Sequence, residues 1–108
     1  MADKQPLEEL SPMTEAMFYI LLALLKPGYG YGMMQRIREL TDNRLVMGPG
    51  TLYGVLTRMK KEKLIKLDSE KERRKTYAIT DTGRKALLNE FARLKMMVRD
   101  GIILEEQK

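Results

Sequence analysis

Residues 48–62 read GPGTLYGVLTRMKKE, and their spacing decides the fold. The apolar residues recur three and four positions apart, so in an α-helix they share one stripe that must be buried. This stripe consists of Leu52, Val55, Leu56 and Met59. The opposite face would expose Tyr53, Gly54, Thr57, Arg58 and Lys61. The stretch therefore predicts a short helix with a buried apolar side and an outer side of hydroxyls and cations.

A helix face of this kind suits a nucleic-acid duplex. Hydroxyls and N–H groups near a helix start can hydrogen-bond phosphates, and long cations further along can reach phosphates or guanine edges. The other interpretation is an ordinary solvated helix, because lysine and arginine are common on any protein surface. The helix alone leaves both interpretations open.

The composition indicates one small domain and excludes several classes of protein. A chain of 108 residues, of which 44% are apolar and 32% charged, can form its own core, although a partner subunit would add stability. It contains no cysteine and no histidine. Disulfides, thiolate nucleophiles, most transition-metal ligands and the usual general base near neutral pH are therefore excluded. We accordingly predict no enzyme, no cofactor and no metal site.

The net charge and the first residues bear on the partner and the location. The formal charge of +5 favours an acidic partner, such as nucleic acid or an anionic membrane surface. Residues 1–10 lack the basic start and apolar run of a signal peptide. Together with the absence of cysteine, this predicts a cytoplasmic protein whose residues 1–10 form a flexible N-terminal arm.

An apolar run occupies residues 16–25. Ser11 and Pro12 predict the start of its helix, with serine as the N-cap and proline in the first helical position. The run has no polar side, but it is about half the ~20 residues that a membrane span requires. It therefore predicts a core helix that does not cross a membrane. The side that so small a chain cannot cover is expected to meet a second copy.

Two short helices joined by a turn are predicted next. The Lys-Pro-Gly of residues 26–28 ends the first helix, and another begins around residues 29–32. Its buried stripe is Met33, Met34, Ile37 and Leu40, and its outer residues are Gln35, Arg36, Arg38 and Glu39. The linker of residues 41–48 leads into the helix described first. This arrangement predicts a helix-turn-helix.

Two β-strands follow the helix-turn-helix in the prediction. Residues 64–67 and 73–79 alternate as strands do, and the polar residues 68–72 between them predict a solvated hairpin loop. A helix-turn-helix followed by a hairpin is a winged helix, whose wing lies against phosphates or in the minor groove. Between residues 58 and 77 the lysines and arginines outnumber the acids by nine to four. The alternative for the cations of residues 73–75 is an edge strand that charge protects from aggregation.

The last predicted helix begins after Thr80, its N-cap. Its apolar residues recur at alternating steps of four and three, like the seam of a coiled coil. They are Leu87, Phe91, Leu94 and Val98, with Leu88, Ala92 and Met97 beside them. Glu90 and Arg93 are expected off this seam, which favours packing on another subunit. Gly101 would end or fray the helix, leaving residues 102–104 as further dimer contact or as a loose tail.

Five segments together resemble, in order and spacing, the PadR family of bacterial transcriptional regulators. They are Gly30-Tyr31-Gly32, Gly50-Thr51-Leu52-Tyr53, the KEKLI of residues 61–65, Arg73-Arg74-Lys75-Thr76-Tyr77 and Thr80-Asp81-Thr82-Gly83-Arg84. The resemblance covers about residues 10–94 and is to the short subfamily with a single C-terminal helix. It implies a mostly α fold with a small β-hairpin (α+β). A winged helix-turn-helix would span residues 11–80, and a C-terminal dimerisation helix and tail residues 81–108.

The resemblance also implies a homodimer that binds double-stranded DNA and represses nearby genes until a small-molecule effector releases it. We expect the DNA site to be palindromic. The residues that we assign to DNA binding are Tyr31, Thr51, Tyr53, Thr57, Arg58, Lys61, Arg73, Arg74, Lys75 and Tyr77. Those that we assign to the dimer interface are Phe18, Leu21, Leu22, Leu87, Phe91, Leu94 and Val98.

Two features depart from the family pattern. Lys63 stands where family members usually place a glycine after the DNA-reading helix, which implies either a strained left-handed cap or a different exit. Some short members bind flat aromatic compounds between tryptophans, and this chain has no tryptophan. The apolar side chains that could line another effector site are favoured as plain dimer core. They are Met17, Phe18, Phe91, Met96 and Met97.

Two other classes of function remain as alternatives. A winged helix can be a protein-interaction module whose basic face binds an acidic partner, without specific DNA binding. An enzyme is the weakest alternative, because the sequence carries no recognisable nucleophile–base pair, metal-ligand cluster or phosphate loop. The Gly-x-Gly pattern of residues 28–32 lacks the preceding strand that a dinucleotide site requires.

Overall fold

A computed structural model describes residues 12–107, which form five helices and three strands. In chain order these are α1 (Glu15–Ala23), β1 (Gly28–Tyr29), α2 (Gly30–Leu40), α3 (Pro49–Lys61), β2 (Ile65–Lys71), β3 (Arg74–Ile79), α4 (Asp81–Gly101) and α5 (Ile103–Glu106). The predicted fold class, mostly helical with a small antiparallel sheet, is confirmed. The predicted arm of residues 1–10 and the Ser11 cap lie outside the described residues.

Helix α1 begins three residues later than the sequence predicted. Thr14 is its N-cap, and the Thr14 Oγ1 accepts a hydrogen bond of 3.1 Å from the N–H of Met17. Pro12 lies before the helix, so its predicted place in the first helical position is wrong. Thr14 stands closer to the apolar run and satisfies a free N–H donor of the first turn, which is the role that was expected of the earlier serine.

The core lies where α1, α2 and α3 meet, with Ile65 and Leu87 added from the sheet and α4. The predicted stripe of α3 is confirmed, since three of its members are buried and Val55 is half-buried. Leu40 was expected in the stripe of α2, but it stands in the last turn of that helix and is 55% exposed. The stripe of α2 therefore ends at Ile37, which is fully buried.

Helix α1 is not surrounded by its own chain. Ile20, Leu21 and Leu24 are fully buried, whereas Phe18 and Leu22 are half-buried on the other side of the helix. A single copy of the chain therefore leaves one side of this apolar helix open. Among the described residues, none of the helices combines the length and the apolar character that crossing a membrane requires.

The sheet has three strands in the order β1-β3-β2, all antiparallel. Strand β1 was not predicted. It consists of two residues, Gly28 opposite Tyr77 and Tyr29 opposite Thr76. A strand of this length shows no alternation in the sequence, but it attaches the start of α2 to the hairpin.

The hairpin of β2 and β3, which we call the wing, is longer than predicted. Residues 68–71 were expected in a solvated loop, but they extend β2. Asp68 forms a β-bulge, and residues 69–71 pair with β3 as far as Lys71 opposite Arg74. The turn consists of Glu72 and Arg73 alone, with φ angles of 51° and 70°. Both values are those of a type I′ turn, which matches the twist of a hairpin. Residues 68–71 carry no apolar alternation because both of their faces are exposed to solvent.

Lys63 adopts the left-handed conformation, with φ of 63°. Its N–H donates to the Lys60 carbonyl at 3.0 Å, and the Leu64 N–H donates to the Met59 carbonyl at 2.9 Å. These two bonds form the Schellman motif that usually ends with glycine. Of the two possibilities raised by the sequence, the strained left-handed cap is therefore the one that occurs.

Helix α4 starts directly against this junction. The Thr80 Oγ1 accepts the Gly83 N–H at 3.0 Å, which confirms Thr80 as the N-cap, and donates to the Lys63 carbonyl at 2.7 Å. A Cβ on Gly83 would overlap the Leu64 carbonyl oxygen. Only glycine therefore allows the first turn of α4 to lie this close to the end of α3.

Candidate nucleic-acid interface

The outer face of α3 is exposed as predicted. Thr51, Tyr53, Thr57, Arg58 and Lys61 all point away from the core. Two of these side chains already have local partners: the Thr57 hydroxyl donates to the Tyr53 carbonyl at 2.9 Å, and the Arg58 Nε donates to Glu62 at 3.2 Å. The Arg58–Glu62 pair is exposed, so the pair is weak and easily exchanged for another acceptor.

Two tyrosine rings lie against the start of α2, and its glycines make room for them. A Cβ on Gly30 would overlap the hydroxyl of Tyr53. A Cβ on Gly32 would lie 3.2 Å from the Cε1 of Tyr29. Between these glycines Tyr31 points into solvent, and its hydroxyl accepts a hydrogen bond of 2.8 Å from Gln35. The Gly-Tyr-Gly segment thus packs the first helix of the helix-turn-helix onto both α3 and β1.

A groove separates α3 from the wing, and we call it the α3–wing groove. It is lined by Tyr53, Leu56, Thr57, Lys60, Lys61, Lys75 and Tyr77. Within residues 12–107, none of its three lysines has a carboxylate within 4 Å. Three lysines without carboxylate partners on one concave surface can neutralise and hydrogen-bond a phosphate group.

Lys60 is the groove residue that the sequence analysis missed. It lies at the edge of the apolar stripe of α3, outside the face that the helical spacing marks as outermost. Its side chain reaches the groove because β3 lies on that side of α3. The sequence does not show where the sheet lies, so it could not place Lys60 in the groove. The cluster of cations at residues 58, 60 and 61 was the one signal that pointed to it.

The wing presents its cations on two faces. Lys75 and Tyr77 face the α3–wing groove. Arg74 lies on the other face, where its guanidinium carbon is 4.3 Å from the centre of the Tyr29 ring. Arg73 stands in the turn at the tip and is exposed. The predicted wing residues are therefore distributed around the strand rather than gathered at one point.

Other arginines hold the fold together. Arg36 was expected on the outer side of α2, but it is half-buried and donates to the carbonyls of Ala23 (2.7 Å), Lys26 (2.9 Å) and Pro27 (3.0 Å). A cation there complements the carbonyls at the end of α1. Arg44 contacts Glu15 at 2.6 Å, and this hydrogen bond raises the pKa of Arg44.

A second surface, the apolar face of α4, has no partner within the described chain. Phe91 is 49% and Val98 73% exposed, and Leu94 is half-buried. Other apolar residues of α4 and of the segment after it are also exposed: Leu88, Met96, Met97, Ile102, Ile103 and Leu104.

The structure places Leu21 and Leu87, two of the residues assigned to the dimer interface, away from the surface of the chain. Leu21 is fully buried and Leu87 is 5% exposed, both inside the core of the same chain. Almost no surface of these side chains is left for a partner. Their spacing matches the seam, but helical spacing does not distinguish burial by the same chain from burial by another.

Glu90 was expected off the seam, but it is buried. It accepts two hydrogen bonds from Arg93, at 3.0 Å from Nε and 2.6 Å from Nη2. These bonds from Arg93 hold the pKa of Glu90 below its ordinary value, against the opposing effect of burial. The pair fixes the middle of α4. In the described part of the chain, no three acidic side chains come together as a metal-binding group.

Comparison with known proteins places this arrangement among transcriptional regulators. Residues 20–89 match the family model described as "Transcriptional regulator PadR-like family", whose members are transcriptional regulators and not enzymes. An uncharacterised 37.1 kDa transposon protein of Streptomyces fradiae is 33% identical over 96 residues. That match covers 85% of this chain but only 27% of the length of the relative.

Solved structures agree over nearly the whole fold. A PadR-like transcription factor from Bacteroides fragilis is 30% identical with a TM-score of 0.70, and the match covers 82% of this chain and 87% of the other. A PadR family regulator from Eggerthella lenta is 25% identical with a TM-score of 0.70, covering 85% and 82%. A transcriptional regulator from Clostridium thermocellum is 28% identical with a TM-score of 0.69, covering 86% and 89%.

Proposed function

Because the chain belongs to the PadR-like family of DNA-binding transcriptional regulators, we propose that it is a homodimeric repressor of a roughly palindromic operator. A small-molecule effector, or another signal, would release the DNA. The observation that carries this proposal is the α3–wing groove, whose three lysines lack carboxylate partners in the described chain. The apolar face of α4 supports the dimer.

The α3–wing groove gives the docking mode. One sugar-phosphate strand separates a major groove from the adjoining minor groove. With α3 in the major groove and the wing beyond that strand, the strand would pass along the α3–wing groove. Lys60, Lys61 and Lys75 would then neutralise its phosphates.

The positions of the other assigned residues on the helices suggest which of them contact bases and which contact phosphates. Thr57 and Arg58 point outward from α3 and are the candidates for base edges, whereas Lys61 lies in the α3–wing groove with the lysines that face the phosphates. Thr51, Tyr53 and Tyr31 lie near the helix starts, where hydroxyls bind phosphates and fix the register. Arg73 and Arg74 would hold the flanking backbone.

The dimer would form through α4 and the open side of α1. Phe91, Leu94 and Val98, together with Phe18 and Leu22, would be covered by the second copy, because a monomer leaves them in water. Two α3 helices would enter successive major grooves, ~34 Å apart. A change in the angle between the paired α4 helices would move the two α3 helices out of this register and release the DNA.

The test is a salt titration of binding to duplex DNA. Replacing Lys60, Lys61 and Lys75 with alanine should weaken binding to all sequences. Because a bound dimer then loses six phosphate contacts, the slope of log affinity against log salt should fall by roughly 6 × 0.9. The matched control replaces Lys26, Arg84 and Lys85, which lie outside the α3–wing groove, and should keep the wild-type slope. An unchanged slope in the groove variant would reject the docking mode.

The same titration distinguishes the proposed repressor from the alternative, a protein-interaction module without specific DNA binding. Wild-type protein should prefer its operator over random duplex at every salt concentration. Binding without a preferred sequence would instead favour a module that uses the basic surface for an acidic protein partner. Measurement of the molecular mass in solution should give a dimer, and a stable monomer would contradict the proposed homodimer.

A further inference from the structure

The ring of Tyr29 lies between the start of α2 and the wing. On one side its Cε1 faces Gly32, where an added Cβ would come within 3.2 Å. On the other side the guanidinium carbon of Arg74 lies 4.3 Å from the ring centre. Tyr29 pairs with Thr76 in the sheet, and Arg74 stands two residues further along the same face of β3. This diagonal neighbour is within reach of a long side chain.

The wing has little apolar packing of its own. Beyond Ile65 every residue of β2 is exposed, and Arg74 and Lys75 are exposed at the start of β3. A hairpin of this kind is held mainly by its strand pairing, and its long side chains are free to change rotamer. The Tyr29 ring therefore supplies a rigid support for Arg74 that the wing itself lacks.

The contact with Tyr29 leaves the donors of Arg74 available. The guanidinium carbon lies over the ring, and a cation–π contact of this kind needs no hydrogen-bond acceptor. Among residues 12–107 no hydrogen bond or ion pair occupies them. The planar fork of N–H groups matches two oxygens of a phosphate.

We propose that Tyr29 is a positioning residue for DNA binding, which holds Arg74 ready for a backbone phosphate beside the start of α2. In helix-turn-helix docking the first helix crosses the backbone, so the pair stands where a phosphate is expected. Orienting the side chain beforehand removes the entropy cost of ordering it on binding. This inference rests on the proposed DNA-binding surface and adds one residue that makes no DNA contact of its own.

The test is a double-mutant cycle on operator affinity. Tyr29→Leu should weaken binding by ~3- to 10-fold, which is the range expected for ordering one long side chain. Tyr29→Phe keeps the ring and should bind like wild type. In an Arg74→Ala background, Tyr29→Leu should cause almost no further loss, because the residue that it positions is gone.

The neighbouring wing arginine provides the control. Arg73 is not stacked on Tyr29, so in an Arg73→Ala background Tyr29→Leu should cause its full loss. A role of Tyr29 in folding alone would give the same loss in all backgrounds, and that result would overturn the inference. If wild-type protein binds DNA but the Arg74 cycle is additive, the inference fails while the proposed function stands.

A measurement on the free protein covers the case in which Tyr29→Leu does not fold. The ring current of Tyr29 should move the Nε–H resonance of Arg74, and not that of Arg73, upfield in the NMR spectrum of wild-type protein. An unshifted Arg74 signal would overturn the inference. Arg74→Lys keeps the charge but loses the planar face, and it should bind operator about as weakly as Tyr29→Leu.

Discussion

The DNA-facing surface and the apolar face of α4 both lack partners within the described chain, but for opposite physical reasons. Around the α3–wing groove the unpaired groups are lysines, which favour a polyanion and respond to salt. On α4 they are Phe91, Val98 and other apolar side chains, which favour burial and are not weakened by the screening of charges. The comparison predicts two binding events that depend on different physical forces, and substitutions on each surface can distinguish them.

The two surfaces are joined by the start of α4. Thr80 bonds to the end of α3, and Gly83 packs on the Leu64 carbonyl, so the first turns of α4 belong to the DNA-binding unit. From Phe91 onward most of α4 is exposed. A movement of the second half of α4 can reach α3 through this junction and through α1, which packs on both helices.

Val98→Asp should have the largest effect and should separate the two surfaces most clearly. Placing an unpaired carboxylate at a buried dimer contact costs on the order of several kcal/mol, so the variant should be monomeric. Operator affinity should fall at least ~100-fold, because only one half-site remains bound. Light scattering gives the mass, and a fluorescence titration gives the affinity.

Asn89→Asp is the control for Val98→Asp. It adds the same charge to the same helix at an exposed position off the apolar seam. It should remain dimeric and bind nearly as wild type. A dimeric Val98→Asp protein would show that this face is not the interface.

Gly83→Ala tests the junction and should have the next largest effect. The added Cβ overlaps the Leu64 carbonyl, so α4 must shift, at a cost of about 2–4 kcal/mol in the free energy of unfolding. Urea denaturation measures this cost. Gly101→Ala, where a Cβ meets open space, should be neutral or slightly stabilising.

The elements with strong spacing could be predicted from the sequence. The stripe of α3 has four apolar residues at helical spacing, and Thr80 stands directly before the last helix, so both were identified correctly. The extension of β2 through residues 68–71 could not be predicted, because a strand that is exposed on both faces shows no alternation of apolar and polar residues. Strand β1 was not predicted, because a strand of two residues is too short to show the two-residue period of apolar side chains.

The candidate site was predicted less completely than the fold. Which face of a helix is exposed follows from its stripe, but which neighbour lies beside that face does not. Lys60 lines the α3–wing groove, and Leu21 and Leu87 lie in the core, because of packing that involves segments distant in the sequence. Glu90 was predicted to lie off the apolar seam, because the sequence does not show that Arg93 donates hydrogen bonds to it and allows it to be buried.

Glu90→Gln should destabilise the chain by about 1–2 kcal/mol at neutral pH, since the amide cannot accept both bonds from Arg93. The hydrogen bonds from Arg93 lower the pKa of Glu90 in the folded state. The stabilisation is therefore present above the unfolded pKa of about 4.3 and is lost as the pH falls through the lower folded value.

The measurement for Glu90 is urea denaturation of wild type and variant at several pH values. The difference in unfolding free energy should be constant near neutrality and shrink below about pH 4. Glu105→Gln removes an exposed acid near the end of the chain and should show no such trend. A difference that stays constant into acid would mean that the charge of Glu90 contributes nothing.

Lys63→Gly should have the smallest effect and the opposite sign. A residue with a Cβ costs roughly 1 kcal/mol in the left-handed conformation, and glycine relieves most of it, less the added freedom of the unfolded chain. We expect a gain of ~0.5–1 kcal/mol, seen as a melting temperature a few degrees higher. Lys63→Ala loses the same charge but keeps the Cβ, so it should not be stabilised. If alanine stabilises as much as glycine, the benefit comes from removing a cation among its neighbours, and the cap is not strained.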